Sequence, residues 1–201
     1  MSTDKPILSA VAANVSPSPT LAVDSKAKAL KAAGEDVCGF GSGEPDFDTP
    51  EFIKEACAKA LSDGMTKYIP AAGLPALREA LAAKYVAENG IAGLEPVNVV
   101  VSPGGKYSCF LAIQATCGPG DEVIIIEPAH ENYTPAVHFA GATPVYMPLL
   151  PPDYALDAER LRAAVTPCSK AVILNTPHNP TGKVFTETEL GFIADLCNKH
   201  D

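Results

Sequence analysis

Three segments of this 201-residue chain combine residue types that can do chemistry, and a fourth sets flexible backbone beside fixed carboxylates. Ser102-Pro-Gly-Gly-Lys106 places Gly104 and Gly105 ahead of an apolar stretch. Such a turn bares backbone N–H groups at a helix N-terminus, a ready cradle for a phosphate. A plain strand-to-helix turn uses the same residues. The Walker pattern is not met, because Val100 stands where it needs Gly and Tyr107 where it needs Ser or Thr. A dinucleotide fingerprint would need a later glycine. Glu127-Pro-Ala-His-Glu-Asn-Tyr133 carries an imidazole, His130, and a phenol. Asn175-Thr-Pro-His-Asn-Pro-Thr-Gly182 packs two Asn, two Pro and a Gly into eight residues, a rigid hydrogen-bonding loop that asks for more than a turn. The fourth segment is Gly41-Ser-Gly-Glu-Pro-Asp-Phe47.

These segments act together only if a fold gathers them. From residue 97 the chain alternates: strands are expected over 97–101, 122–127, 143–147 and 171–175. Helices are expected to follow the Gly104-Gly105 turn through 116, and over 132–139 and 158–165. A last helix runs to about 198, opened by the capping box Thr186-Glu-Thr-Glu189. Continuously apolar strands alternating with helices define an α/β fold, a mostly parallel sheet with helices on both faces. Open sheets of this kind bind ligands at the carboxyl ends of their strands, where the first three segments fall.

Upstream, a Pro/Ser-rich arm, Ser16-Pro-Ser-Pro-Thr20, leads to a short helix around 24–32 ended by Gly34. A helix capped by Thr49, with Pro50 in its first turn, carries Phe52, Ile53, Ala56, Cys57, Ala60 and Leu61 on one face. It stops at Gly64. After the Tyr68–Gly73 connector, a helix over about 75–88 turns Leu77, Leu81 and Tyr85 inward, with Gly90 at its end. The final helix has no following strand to bury Leu190, Ile193, Ala194 and Cys197, so the sequence reads as cut inside an αβ unit.

Composition narrows the function classes. Lys plus Arg number 15 against 24 Asp plus Glu, a net charge of -9, so nothing global attracts nucleic acid. With 47% apolar residues and a mean hydropathy of +0.10 there is material for a core. The apolar runs fall far short of the roughly 20 residues of a membrane span. No secretory or transit pattern opens the chain, and a soluble, cytoplasmic protein is expected. The six cysteines form no CxxC pair and read as reduced core thiols. The four histidines show no metal-binding spacing. The sequons at Asn14 and Asn132 read as chance matches.

Taken in order, Gly43-Glu-Pro-Asp-Phe-Asp-Thr-Pro50, Thr66-Lys-Tyr-Ile-Pro70, Gly104-Gly-Lys106, Pro119-Gly-Asp-Glu-Val123 and Asn175-Thr-Pro-His-Asn-Pro-Thr-Gly182 resemble the N-terminal half of the class I/II aminotransferases. They are most similar to the bacterial-type aspartate aminotransferase branch. The resemblance implies a pyridoxal 5'-phosphate enzyme of the type I fold that moves an amino group between an amino acid and a 2-oxo acid as a homodimer. It assigns residues 1–46 to an arm and small-domain segment and 47–201 to part of the large cofactor-binding domain.

By position, the resemblance places the backbone of Gly104, Gly105 and Lys106 at the cofactor phosphate and Asn179 at its ring hydroxyl and near the substrate. Tyr68 would reach across the dimer to the partner's phosphate, and Gly43 would approach the substrate α-carboxylate. Pro128 and Pro180 fall where the family often has cis peptides. The Lys106 side chain, helped by Thr20, would recognise a distal carboxylate, which favours aspartate, glutamate or a prephenate-like acid. The same Lys106 can equally be a solvated lysine at a helix start. His130 departs from the pattern, because the position usually holds Trp, Tyr or Phe stacked on the cofactor ring; imidazole stacks with less area.

The chemistry in this family belongs to the cofactor, with the protein supplying orientation and charge. The resemblance places the covalent lysine, the aspartate at the ring nitrogen and the arginine for the α-carboxylate beyond residue 201. Neither Lys106 nor Lys183 stands at the covalent position, and the 201 residues alone are expected not to transaminate. Three alternatives share these motifs: another type I pyridoxal phosphate enzyme such as a C–S lyase or synthase, a non-enzymatic phosphate-binding α/β module, and a shortened paralogue acting as a dimerisation or regulatory partner. The last would need a complete final αβ unit.

Overall fold

The computed structural model describes residues 8–13, 15, 18–41, 43 and 45–200. Ser16 and Pro17 of the expected arm, Asn14 of one sequon, and Ser42 and Glu44 of the glycine-rich segment lie outside the described residues. Contacts divide the chain into two compact units, one of residues 17–103 and one of the residues up to 16 together with those from 104 onward.

The second unit is organised by one strand. β1 (Glu122–Glu127) has the core Val-Ile-Ile-Ile, four side chains at most 3% exposed. It pairs in parallel with a strand on each side, β2 (Thr143–Pro148) and β3 (Ser169–Ile173), in the order β2-β1-β3. Glu122 stands opposite Thr143 and Glu127 opposite Pro148, while Val123 to Ile125 face Ala171 to Ile173 after an irregularity at Glu122.

The pleat sends alternate side chains to opposite faces. Ile124 and Ile126 pack with Met147, Leu149, Phe185, Leu161 of α7 (Ala158–Ala164), and Ile193 and Leu196 of α8 (Glu187–His200). Val123 and Ile125 pack with Ile113 of α5 (Gly105–Thr116), Cys117, Ala142, and Ala136 and Val137 of α6 (Tyr133–Phe139). The α/β architecture with both faces covered is therefore present.

Three expectations in this unit change. The face of α8 is not left open: Ile193 and Leu196 are buried against the sheet and Leu190 packs beside them, whereas Ala194 and Cys197 are exposed. The chain folds α8 back onto the sheet it has just left, and that contact covers Ile193 and Leu196. β3 ends at Ile173, two residues before the expected end, and Asn175 lies beyond it with its side chain accepting the backbone N–H of Asn179. Of the cysteines, all six are free thiols as expected, but only Cys117 is buried.

Residues 97–101 are not a strand. Pro96–Asn98 is a single 3-10 turn closed by a capping box between Glu95 and Asn98, and Val97 and Val100 are exposed. β-branched residues favour extended backbone, but a strand exists only where a neighbour takes its hydrogen bonds. Here Val101 N–H bonds to Ala72 O at 2.9 Å, and the carbonyl of Val99 accepts Arg78 Nε at 2.8 Å.

In the unit of residues 17–103, α2 (Pro19–Ala32) begins earlier than expected, because Ser18 Oγ caps the N–H of Leu21 with Pro19 in the first turn. α3 (Glu51–Ser62) has Pro50 at its cap position, so Thr49 does not cap it. Asp48 instead accepts the Thr49 N–H and pairs with Lys54, which holds the Asp48 carboxyl below its usual range. Its apolar face is open, with Phe52 71% exposed. α4 (Pro75–Asn89) ends at Gly90 in left-handed geometry, as expected, and buries Ala82 rather than Leu77 or Tyr85. The remaining helix, α1 (Ala10–Ala13), is one turn long. No helix among the described residues is long and apolar enough to cross a membrane.

The connector before α4 is set by one glycine. Gly73 has φ +107°, and a Cβ there would lie 2.7 Å from Val101 Cβ and Cγ2. Gly73→Ala should therefore lower stability by about 2 kcal/mol or more, read from the midpoint of denaturant unfolding. An unchanged midpoint would show that the connector accommodates a side chain.

Candidate functional site

The glycine turn opens α5. Gly104 is its cap residue at φ +85°, ψ 158°, and the first intrahelical bond runs from Ser108 N–H to Gly104 O. The N–H groups of residues 105–107 precede that ladder and point out of the helix end, where the helix dipole is positive. A Cβ at Gly104 or at Gly105 would meet no atom within 4 Å. Left-handed geometry explains glycine at 104. No contact among the described residues explains it at 105, the first helical position, where Ala would be favoured by up to about 1 kcal/mol.

Topology sets where this turn lies. The 12 residues of α5 span about 18 Å, and a short turn, in which Asp121 Oδ2 accepts the Gly118 N–H, leads from its end to the start of β1. The six residues of β1 run back about 20 Å. The glycine end of α5 therefore stands at the carboxyl edge of the sheet, level with Glu127.

β1 leaves the sheet at the same edge through a cis Glu127–Pro128 bond and reaches His130. His130 is half-buried, with its ring 5.9 Å from that of Tyr133 at a 45° tilt. Its Nδ1 accepts the Asn132 backbone N–H at 3.3 Å and stands 2.7 Å from Asn132 Nδ2, which holds the ring over the start of the next helix. Tyr133 opens α6, which is tied to α5 by Gln114 Nε2 donating to Ala136 O at 2.8 Å. Burial, with a smaller contribution from Cys109, pushes the Tyr133 hydroxyl above its usual range.

β3 exits into the Asn175–Gly182 loop, with cis bonds at Thr176–Pro177 and at Asn179–Pro180. Its inward residue is His178, 4% exposed, not Asn179, which is exposed. His178 donates its N–H to Lys183 O at 2.8 Å and accepts the Gly182 N–H at 2.7 Å. Its Nδ1 lies 2.8 Å from Thr181 Oγ1, and the ring meets Phe185 edge-on at 6.2 Å. Asn175 Oδ1 accepts the Asn179 N–H at 2.7 Å, which fixes the backbone of the exposed asparagine.

The sequence offered no sign of this role for His178. Its partners, Thr181 and Phe185, become neighbours only when the loop closes.

The loop ends on a second feature the sequence did not announce. Lys183 Nζ pairs with Glu189 Oε1 at 2.8 Å, with side chains only 11% and 17% exposed. Glu189 also completes the expected capping box with Thr186 and accepts the Leu156 N–H. Burial acts to raise the Glu189 carboxyl. The Lys183 ammonium, the N–H groups of Thr186 and Leu156, and the Thr186 hydroxyl outweigh it and hold the carboxyl at about 2.

The fold thus brings Gly104, Gly105, Lys106, His130 and Asn179 to one edge of one sheet, with Lys106 exposed. Thr20, Gly43 and Tyr68 belong to the 17–103 unit and are exposed there. A cavity of about 280 Å³ lies elsewhere, at the start of β3 and the end of α8, lined by Ser169, Lys170, Leu196 and His200 among others. Among the described residues no group of three or more His, Cys, Asp or Glu is arranged to hold a metal.

Comparison with known proteins defines the class. The family model for aminotransferase class I and II matches residues 35–201, and the chain belongs to that family, whose members depend on pyridoxal phosphate. Within it, the chain is 48% identical over 185 residues to a probable aspartate/prephenate aminotransferase of Aquifex aeolicus, covering 92% of this chain and 47% of that protein. The solved structure of the aspartate aminotransferase from Thermus thermophilus with maleate superposes with a TM-score of 0.92 at 45% identity, over 96% of this chain and 51% of that one. The N-succinyldiaminopimelate aminotransferase from Mycobacterium tuberculosis superposes with a TM-score of 0.87 at 34% identity, over 96% and 50%. The chain spans about half the length of the curated relatives it matches.

Glu189 makes stability depend on acid. Its carboxyl sits at about 2 when folded against an ordinary 4.5, so between these values the unfolded chain binds more protons than the folded one. The stabilisation, roughly 2 kcal/mol after allowance for partial exposure, is present above pH 5 and is lost as pH falls through 4.5 towards 2. Denaturant midpoints at pH 6 and pH 3 should differ less in Glu189→Gln than in the native chain. Equal differences would assign the acid sensitivity to other groups.

Proposed function

We propose that the protein is an aminotransferase that uses pyridoxal phosphate to move an amino group between a dicarboxylic amino acid, aspartate, glutamate or a related acid, and a 2-oxo acid. The observation that carries this reading is Gly105, a helical glycine that neither backbone geometry nor packing requires. It leaves the helix end open for a phosphate to approach the N–H groups, at the same sheet edge as the Asn179 loop. The residues present fit the cofactor: a dipole-backed cradle for its phosphate, an aromatic ring at His130, and an amide at Asn179 on a fixed backbone.

In this reading the N–H groups of Gly104, Gly105 and Lys106 bind the phosphate, local dipoles doing what a net charge of -9 would oppose. His130 lies against the cofactor ring and restricts its tilt. Asn179 donates to the ring hydroxyl oxygen and so orients the ring. When bound, the cofactor supplies an electron-poor ring that takes up the electron pair left when the substrate Cα proton departs. Gly43 brings backbone to the α-carboxylate, and Lys106 with Thr20 meets the distal carboxylate. Tyr68 serves the partner's cofactor phosphate in a homodimer. The assignment of 1–46 to an arm and small-domain segment and 47–201 to the large domain belongs to the same reading, as does a cytoplasmic location, which suits six free thiols.

Two observations support the substrate class and the absence of a covalent lysine among these motifs. Two of the relatives named above, those from Aquifex aeolicus and Thermus thermophilus, act by name on aspartate or prephenate, and the second was solved with maleate, a dicarboxylate. Lys183 Nζ is engaged by Glu189 Oε1 at 2.8 Å and largely screened from solvent, which supports the reading that it is not the lysine that links to the cofactor. The same reading expects residues 1–201 alone not to transaminate. The N-succinyldiaminopimelate enzyme shares the fold, so substrate choice rests on Lys106 and Thr20 rather than on architecture.

The discriminating variant is Gly105→Ala. It should leave stability unchanged or raise it by up to about 1 kcal/mol, since Ala favours a helix and meets no neighbour. It should weaken pyridoxal phosphate binding about tenfold or more, the effect of losing about 1.4 kcal/mol of phosphate contact, as followed by absorbance titration. Unchanged affinity, or a complete protein that does not turn over aspartate with a 2-oxo acid, would overturn the proposal.

A further inference from the structure

We propose that Lys183 and Glu189 form a clasp that positions the Asn175–Gly182 loop, so that one carboxylate decides where Asn179 stands. A capping box by itself explains only part of what Glu189 does. Its Oε2 takes the Thr186 N–H at 2.8 Å and the Thr186 hydroxyl at 3.0 Å, which closes the start of α8. Its Oε1 does something else: it takes Lys183 Nζ at 2.8 Å from the end of the loop and the Leu156 N–H at 2.9 Å from the connection between β2 and α7. Three separate segments therefore converge on one side chain.

From Lys183 the path leads straight back into the loop. The Lys183 carbonyl accepts the His178 N–H at 2.8 Å, and the Lys183 N–H reaches Thr181 Oγ1 at 3.2 Å, which also bonds His178 Nδ1 at 2.8 Å. Asn179 lies between these two anchored residues. The ammonium stands 4.9 Å from the centre of the Phe185 ring, which also meets the His178 ring at 6.2 Å in a T-shaped contact and packs in the core beneath the sheet. The hydrogen-bonded links are 2.8–3.2 Å long and part-buried. An ion pair 11% and 17% exposed is expensive to break from one side, because the remaining charge stays half-buried. That asymmetry suits the pair to holding a loop whose own outer residues, Pro177, Asn179 and Pro180, are exposed and pack little.

The clasp rests on the reading that Asn179 faces the cofactor only for its functional consequence; its effect on the loop stands apart. The test uses the complete protein with Glu189→Gln and Lys183→Gln, which break the pair from either side, and Lys183→Arg, which keeps it. Hydrogen exchange at the amides of His178, Asn179 and Gly182 should quicken about tenfold in both Gln variants, the factor that about 1.4 kcal/mol of lost protection gives. It should stay native in the Arg variant, and the amides of Val123 to Ile126 should not change in any of them.

Pyridoxal phosphate affinity should fall about tenfold in the Gln variants. In an Asn179→Ala background the same changes should cost nothing further, because the positioned group is already gone. Native exchange in the loop of both Gln variants would overturn the clasp, and so would an equal loss of affinity with and without Asn179. If the native protein binds no pyridoxal phosphate, the functional reading fails, and the loop amides alone decide whether the clasp exists.

Discussion

The burial of β1 on all sides governs the rest of the molecule. Val123 to Ile126 lose water on both faces, and Val123 to Ile125 have a parallel partner on both edges. Each such side chain contributes about 1.5–3 kcal/mol by leaving water, and a strand so placed has no room for a polar residue. A parallel neighbour also constrains the path, since the chain must cross back over a face before it can pair again. Every strand of the sheet then exits at one edge, and every helix that leads into a strand starts there. The glycine turn, the His130 segment and the Asn175–Gly182 loop share that edge because β1 is central and parallel, not because they attract one another.

An acidic protein can still present a local anion site. A charge of -9 spread over the surface is screened within about 8–10 Å at physiological salt, whereas backbone N–H groups at a helix end act at contact distance. The end of α5 has N–H groups ahead of the helical ladder and glycines that leave space around them. In the proposed function, substrate charge is a separate matter and falls to the Lys106 side chain on the same turn, so that in this reading cofactor binding and substrate choice fall to different atoms of adjacent residues.

Rigidity at the site has several sources. α5 and α6 are held by apolar contact with the sheet and by Gln114. The Asn179 loop has little apolar surface and is held by polar groups instead: Asn175 at one end, His178 in the middle and the Lys183–Glu189 pair at the other. Buried polar networks specify geometry more sharply than apolar packing, because each donor has one place to go, and an unmet donor costs about 1–3 kcal/mol.

Much was legible in the sequence because it depends on neighbours along the chain. The apolar run at 122–127, the capping box Thr186 to Glu189, Gly90 as a helix stop and the glycine turn before α5 all follow from local rules, and all stand in the structure. The α/β class followed from their alternation. What misled was residue type read without its partners. Val97 to Val101 has strand composition but no strand beside it, Cys197 has core composition but a solvent-facing place, and Pro50 displaced Thr49 from a cap it would otherwise suit.

The sequence by itself determined which segments bend, which run straight, and which residues carry donors and acceptors, since those properties reside in single residues and their immediate spacing. Only the tertiary structure decided that His178, not Asn179, is the buried member of its loop, that Lys183 spends its charge on Glu189, and that Leu156 joins them from 33 residues away. Those contacts join residues brought together by closure of the chain, and a pairing that depends on closure has no local signature to read.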